Sequence, residues 1–173
     1  MEIRPADVAD AARIAEIHVR SWQQAYQGQI PQDYLDSLDP ADRIERRAQL
    51  LSSLDPKRSA CLVVTGDDAE IAGFAHIGPS RDDDDDPALT GEIMAIYLAP
   101  GAWGHGFGRE LMAASLGFLT GAGYQEATLW VLDTNDRARR FYAAAGFAAD
   151  GAAKVGSAGE HPLHEVRYRR SLP

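Results

Sequence analysis

The sequence predicts an α/β fold with a mixed sheet, and three stretches predict it. An apolar strand over 92–98, a helix over 106–120 and an apolar, β-branched strand over 126–132 form a βαβ unit. Its two strands run parallel, because a crossover of that length returns the chain in the same direction. Upstream, strands over 60–65 and 70–77 flank a turn at 66–69, the pattern of an antiparallel hairpin. Between strand 92–98 and the helix, Gly104, Gly106 and Gly108 alternate. That turn lies at the carboxyl end of a strand, where open α/β sheets bind ligands.

The remaining elements follow in order. Residues 2–5 read as a first strand. Asp7 can cap the next helix, with Asp10 at the capping-box position. Val8, Ala11, Ala12, Ile14, Ala15, Val19 and Trp22 form an apolar stripe at helical spacing. His18 in that helix is expected to be structural. Gly28 closes the helix and Pro31 can open a short second one. Trp22, Tyr26 and Tyr34 give this region an aromatic density that suits a lip over a small-molecule site, since aromatics offer rigid walls with polar tips. Core packing is the competing explanation. Residues 40–54 form a further helix with Ile44, Ala48 and Leu51 facing inward. Gly73, inside strand 70–77, marks a bulge or a close approach. His76 in the same strand could face either way. The five aspartates at 82–86 read as a solvated, mobile loop, because like charges repel. They lack the spacing of a hard-cation loop, so no metal is expected. A helix from Asp136 is stopped by Gly146, Phe147 opens a strand, and a last strand covers 164–172.

Bulk properties narrow the function. A length of 173 residues suggests one domain, 1–173. A net charge of −9 argues against nucleic acid as a partner, since a phosphate backbone needs a basic face. The single cysteine, Cys61, sits in the apolar run CLVV and is expected to be a buried thiol. The N-terminal segment has neither the basic nor the apolar region of a secretion signal, and no apolar run is long enough to span a membrane. The expectation is a cytoplasmic protein.

The glycine turn is suited to phosphate. Glycine permits positive φ and close approach, and the helix that follows starts with unpaired N–H groups and a partial positive charge. A dinucleotide fold would use such a turn, and Asp133 ends the next strand where a ribose-binding acid would lie. The spacing, however, is G-x-G-x-G, with Arg109 where the third fingerprint glycine belongs. The lysine of a P-loop is absent as well.

Two further motifs sharpen the reading. Trp103-Gly104-His105-Gly106-Phe107-Gly108 is followed, one helix and one strand later, by Asn135-Asp136-Arg137-Ala138-Arg139-Arg140-Phe141-Tyr142 and then Gly146-Phe147. In this order they resemble the GCN5-related N-acetyltransferase (GNAT) superfamily, over nearly all of the chain. Trp103 departs from the Gln or Arg usual at its position. The early S-W-x-x-A-Y-x-G-x-x-P-x-x-Y-L pattern resembles a bacterial subgroup of these enzymes.

The resemblance implies a mostly antiparallel, seven-stranded sheet with a central, splayed parallel pair and four to five helices. It implies acetyl-CoA as cosubstrate and direct attack of a primary amine, on a small molecule or a protein, within a ternary complex. Ile96, Tyr97, Leu98, Trp103, Gly104, His105, Gly106, Phe107, Gly108, Arg109, Asn135, Arg139 and Tyr142 are the expected cofactor contacts. The N–H of Leu98 is the expected oxyanion donor, Tyr142 the acid at the leaving sulfur, and Glu92 the base, acting through water. Trp22, Tyr26, Tyr34 and Glu92 are the expected acceptor contacts. Acidity at Asp33, Asp36, Asp39, 82–86 and Glu92 points to a cationic amine. A homodimer is compatible with the resemblance. A non-catalytic acyl-CoA-binding module on the same fold is the alternative.

Overall fold

The computed structural model describes residues 1–67 and 69–173. Asp68, in the expected 66–69 turn, lies outside the described residues. One seven-stranded sheet organises the chain in the order β1-β2-β3-β4-β5-β7-β6. The strands are β1 (Glu2–Pro5), β2 (Ala60–Thr65), β3 (Ile71–Pro79), β4 (Thr90–Leu98), β5 (Glu126–Leu132), β6 (Ala148–Ala158) and β7 (His161–Ser171). Five α-helices connect or cover them: α1 (Ala11–Ala25), α2 (Gln32–Ser37), α3 (Ala41–Ser53), α4 (Phe107–Gly121) and α5 (Asp136–Ala144). Neighbouring strands are antiparallel except β4 and β5, which the α4 crossover makes parallel.

The pleat of β2 shows how the layers are built. All six of its residues are buried, as in a strand covered on both faces. Cys61 and Val63 face α1, where Ile14 and Ile17, with Phe74 of β3, complete a cluster. Leu62 and Val64 face α4, where Leu111, Met112 and Leu119 pack on Ala75, Ile77, Ile93 and Leu129. A third cluster, Tyr26, Ile30, Leu35, Leu132, Ala158 and Leu163, ties the end of α1 and α2 to the far side of the sheet. The thiol of Cys61 is buried as expected, and that burial pushes its pKa up to about 12.

Asp7 and Asp10 form the expected capping box. Asp10 also receives Arg4 at 2.7 and 2.9 Å. Two expected apolar positions turn outward: Val8 is 50% exposed and Ile44 37%. Val8 belongs to a single 3-10 turn before α1, outside the helical register. The segment 152–162, between the strand expected from Phe147 and the one expected over 164–172, is mostly strand, because β6 and β7 pair as a long hairpin from Ala148↔Arg169 to Ala158↔His161.

The decisive feature is in β4. Its register with β3 slips between His76 and Ile77, so that Met94 is an extra residue. A bulge of this kind bends a strand and increases its twist. Next to it, pairing with β5 stops: only Thr90↔Glu126, Gly91↔Ala127 and Glu92↔Thr128 are in register. Beyond Glu92 the two central strands diverge.

Candidate active site

The divergence opens a cavity of about 700 Å³ lined by β4 from Glu92 to Leu98, by β5, by α5 and by the end of α1. A second hollow of about 550 Å³ adjoins it over the glycine turn, and Leu98, Trp103, Gly108, Arg137 and Phe141 line both.

Backbone polarity along β4 follows from one bond. The N–H of Ala99 donates to the Ala72 carbonyl at 2.8 Å, on the β3 side. In an antiparallel ladder alternate residues face alternate neighbours, so the N–H and C=O of Leu98 and of Ile96 turn away from β3. With β5 gone at this level, they face the cleft. The Leu98 carbonyl is already engaged by Ser21 Oγ at 2.6 Å and Trp103 Nε1 at 3.3 Å. Its N–H is left to the cavity. The Tyr97 ring stacks on His18, and its hydroxyl accepts from Trp22 Nε1 at 3.1 Å in the wall of the cavity.

Trp103, the position that departs from the motif, thereby has a physical role. Its indole N–H holds the Leu98 carbonyl, and its ring carries the Arg137 guanidinium 4.0 Å from the centroid. Arg137 spans both hollows and escaped notice in the sequence because only its neighbours Asn135 and Ala138 belong to the motif.

Gly104 and Gly106 both take φ of 86°, and Gly106 is the N-cap of α4 without any side-chain cap. A Cβ at either would meet no protein atom within 4 Å, so the space in front of the turn is open. His105 and Arg109 line this hollow. The combination of left-handed glycines, an uncapped helix start and the flanking guanidiniums of Arg109 and Arg137 fits a diphosphate.

Three expected contacts lie elsewhere. Arg139 gives its guanidinium to the Tyr168 hydroxyl at 3.1 Å and the Asp133 carbonyl at 3.0 Å. Phe107, the first residue of α4, packs against the core and lines neither hollow. The Tyr34 ring sits against Gly159 and belongs to the third cluster, also outside the cavity. Asn135 is in the cavity, but as the N-cap of α5: its Oδ1 accepts from the Ala138 N–H at 3.1 Å. Its amide NH₂ faces the Tyr26 hydroxyl, which also lines the cavity. Trp22 and Tyr26 do line the cavity, as does Tyr142.

Tyr142 is held between Phe141 and Phe147, with ring centroids at 5.4 and 6.4 Å. Burial, with the Tyr97 hydroxyl nearby, raises its pKa above the ordinary phenol value. Tyr142 therefore holds its proton through the neutral range, the state an acid requires.

Glu92 differs from expectation. It is 1% exposed on a central strand, and its carboxylate is taken up by one residue. Arg81 contributes its backbone N–H at 3.1 Å, Nε at 3.0 Å and an Nη at 2.5 Å. A bidentate guanidinium and a backbone N–H on a buried carboxylate occupy its lone pairs.

The aspartate run is likewise not a free loop. Arg167 on β7, 5% exposed, reaches Asp84 at 2.7 and 2.8 Å, Asp82 at 3.2 Å and Asp150 at 2.7 Å. Arg169 takes Asp85 at 2.6 Å. Trp130 Nε1 donates to Asp82 at 3.0 Å. Self-repulsion is overcome by cations that come from more than eighty positions away, which local sequence could not reveal. Asp82, Asp84 and Asp85 converge, and the cation they hold is Arg167. The pinned loop is what delivers Arg81 to Glu92.

The comparisons with known proteins agree with this geometry. Residues 12–147 match the model of the acetyltransferase (GNAT) family. The chain belongs to that family. It is 31% identical over 134 residues to an uncharacterized N-acetyltransferase, YuaI, of Bacillus subtilis, covering 77% of this chain and 72% of that one. An uncharacterized N-acetyltransferase of Archaeoglobus fulgidus is 31% identical over 143 residues, 83% of this chain and 90% of that one. Among solved structures, a ribosomal-protein-alanine N-acetyltransferase from Brucella melitensis superposes with a TM-score of 0.80 at 21% identity, over 99% of this chain and 100% of that one. The PaiA N-acetyltransferase of Thermoplasma acidophilum, solved with coenzyme A, gives 0.75 at 19% identity, over 98% of both chains. These two likenesses speak for the fold.

Proposed function

We propose that the chain transfers the acetyl group of acetyl-CoA to a primary amine in the cleft between β4 and β5. The observation that carries this reading is the splay itself: one cavity runs from the glycine turn to the open face of β5 and β7, beneath the outward N–H groups of Ile96 and Leu98. Gly104, Gly106, Gly108, His105, Arg109 and Arg137 would hold the diphosphate. Ile96, Leu98 and the Asn135 amide would hold the pantetheine arm. The cosubstrate supplies an acetyl thioester as electrophile.

The chain's own residues supply the rest. The Leu98 N–H is fixed in place by the grip of Ser21 and Trp103 on the same residue, and so is preorganised for charge developing on the acyl oxygen. Tyr142 keeps a proton for the leaving sulfur. Trp22, Tyr26 and Trp130 wall the amine's side of the cavity.

The acceptor's charge needs restating. Of the nine acids that pointed to a cation, Asp82, Asp84, Asp85 and Glu92 are paired with Arg81, Arg167 or Arg169, and Glu92 alone of the nine lines the cavity. The acceptor end carries Arg81 and Lys154 beside Glu92 and Glu165, a balanced set. The reading is therefore an amine on an otherwise uncommitted scaffold.

Among the described residues no helix is long and apolar enough to cross a membrane. The one cysteine is buried and unpaired, which suits a reducing compartment, and we place the protein in the cytoplasm. Thiol release from acetyl-CoA across an amine panel tests the function. Release that depends on the amine and falls in Tyr142→Phe supports it. Firm coenzyme A binding with no release on any amine would favour the non-catalytic module.

A further inference from the structure

Glu165 occupies the place that Glu92 vacates. It lies on β7, opposite Leu132 of β5 and Lys154 of β6. Tyr168 and Val166 of β7 pack on the α4 side of the sheet, so Glu165 projects from the other face, where the cavity opens. It is half-buried and lines the cavity. Among the described residues it makes no hydrogen bond and no ion pair.

Its neighbours explain why it is left unpaired. Lys154, its cross-strand partner, places Nζ 4.0 Å from the centroid of the Trp130 ring. Arg81 is occupied by Glu92. Gly156 leaves room where a side chain would press on the carboxylate, since a Cβ there would lie 3.2 Å from Glu165 Oε2. A half-buried carboxylate without a partner costs stability, and a protein retains such a group where a ligand completes it.

We propose that Glu165 is the carboxylate that receives the acceptor amine and takes its proton. This rests on the acetyl-transfer reading and assigns it a base. Glu165 accepts one proton from the bound ammonium, leaving a neutral amine whose nitrogen forms the new C–N bond. Tyr142 gives its proton to the sulfur as the C–S bond breaks. The proton shed by the new amide nitrogen restores Tyr142, and Glu165 returns its own to solvent.

The charges around Glu165 agree. Burial raises its pKa, Lys154 on β6 and Arg81 in the loop after β3 oppose that rise, and Glu92 on β4 reinforces it. The hydroxyls of Tyr26 at the end of α1 and Tyr97 on β4 are neutral and face the same carboxylate. A carboxylate with a raised pKa is a stronger base for an ammonium proton. Glu165 also lies outside residues 12–147, the part that matches the family model, so the match itself does not assign it.

Two readouts test it. The first is the pH profile of kcat/KM for thiol release, comparing Glu165→Gln with the parent. The expected result is a loss of ~10²–10⁴-fold with disappearance of the acid limb, while coenzyme A affinity is unchanged. A variant within about threefold of the parent, or one that keeps the acid limb, overturns the proposal, because loss of a general base costs far more. The second needs no turnover. The side-chain carboxyl resonance of Glu165 is followed by ¹³C NMR while methylamine, ethanolamine or tyramine is added to the full chain. Movement of that resonance supports an amine site at Glu165, and a resonance unmoved by all three overturns it. If Glu165 responds but the parent releases no thiol with any amine, the acetyl-transfer reading fails and the amine site stands.

Discussion

Glu92 and Arg81 form a closed pair: a carboxylate that is 1% exposed receives three N–H groups from a single residue at 2.5–3.1 Å. Its job in this geometry is to anchor Arg81 and the 80–89 loop over the acceptor end. Glu92→Gln should therefore lower kcat/KM by the same factor at every pH, with the acid limb retained. A pH–rate profile checks this. A loss concentrated at low pH would instead return the base to Glu92.

How much of this was legible beforehand depends on how far apart the partners lie in the chain. The βαβ unit, the β2–β3 hairpin, the glycine turn and the Asn135–Tyr142 motif are local patterns, and all were readable from spacing. Gly73 was readable as a bulge or a close approach and is a close approach to β4, whereas Trp103 was readable as an exception without a reason. The pairings of Arg81 with Glu92 and of Arg167 with the aspartates were not readable, because the first depends on how the β3–β4 connection folds back and the second brings a β7 side chain from more than eighty positions away. Glu165 was hidden for the same cause: in HEVRYRRSL it is one charge in an alternating run, and only β7's place beside β5 turns its face toward the cleft. Arg139 looked like a ligand from its motif position and is instead bound to Tyr168.

Tyr142→Phe keeps the ring among Phe141 and Phe147 and removes only the hydroxyl. Turnover should fall by at least ~10-fold, the lower range for loss of a general acid, with coenzyme A binding intact. The parent's Tyr142 pKa is raised by burial, so no activity should be lost through its ionisation between neutral pH and the ordinary phenol range. Single-turnover kinetics across that range check both statements. Unchanged turnover removes Tyr142 from the chemistry.

Arg167→Leu should be among the most damaging surface-distant changes. Removing a buried cation leaves Asp84 without its partner and Asp82, Asp85 and Asp150 held by Trp130, Ser80 and Arg169, so the fold is destabilised by less than the ~3–5 kcal/mol of a fully broken buried pair. The sign of its pH dependence follows from the carboxylates. In the parent, Arg167 holds the Asp84 pKa below the ordinary value. For Asp150, the Ala152 N–H, Arg167 and Arg169 outweigh the penalty of burial and do the same. Groups with depressed pKa stabilise the fold above their unfolded pKa and lose that contribution as pH falls through the folded one. In Arg167→Leu the same carboxylates repel, so their folded pKa rises and the destabilisation is greatest near neutrality. Thermal melts should show the gap between parent and variant narrowing below about pH 4, near the reference carboxylate pKa.

Glu165→Gln should show the opposite trade. Glu165 has a raised folded pKa, chiefly from burial, so it binds a proton more readily folded than unfolded. Its contribution to stability is present below the unfolded carboxyl pKa and falls as pH rises through the folded value. An uncharged isostere removes that loss. The variant should melt higher than the parent at neutral pH while acetyl transfer falls, and each ~1 kcal/mol gained is worth about 2–4 °C in a chain of this size. Scanning calorimetry at neutral and acid pH checks it, with the difference vanishing on the acid side.

Gly73 and Leu98 give the last prediction, because the oxyanion donor depends on a missing side chain. The two residues are cross-strand partners on β3 and β4. A Cβ on Gly73 would lie 2.8 Å from the Tyr97 carbonyl oxygen and 3.3 Å from Leu98 Cα, and it would overlap Leu98 Cδ2. Two of those three atoms belong to the β4 backbone, so rotating the Leu98 side chain cannot relieve the overlap. Gly73→Ala must push the end of β4 toward the cleft and loosen the grip of Ser21 and Trp103 on the Leu98 carbonyl. Overpacking of this kind costs ~1–3 kcal/mol, and a displacement of about 1 Å at a reacting centre can cost ~10²-fold in rate. Gly117→Ala is the control, since it sits in α4 with no atom within 4 Å of an added Cβ. That change should stabilise the helix by up to ~1 kcal/mol and leave kcat alone. The expected pattern is a fall in kcat for Gly73→Ala larger than its fall in coenzyme A affinity. Equal losses in both would mean that the substitution disturbs the whole cleft, and that Leu98 has no separate role in the reaction.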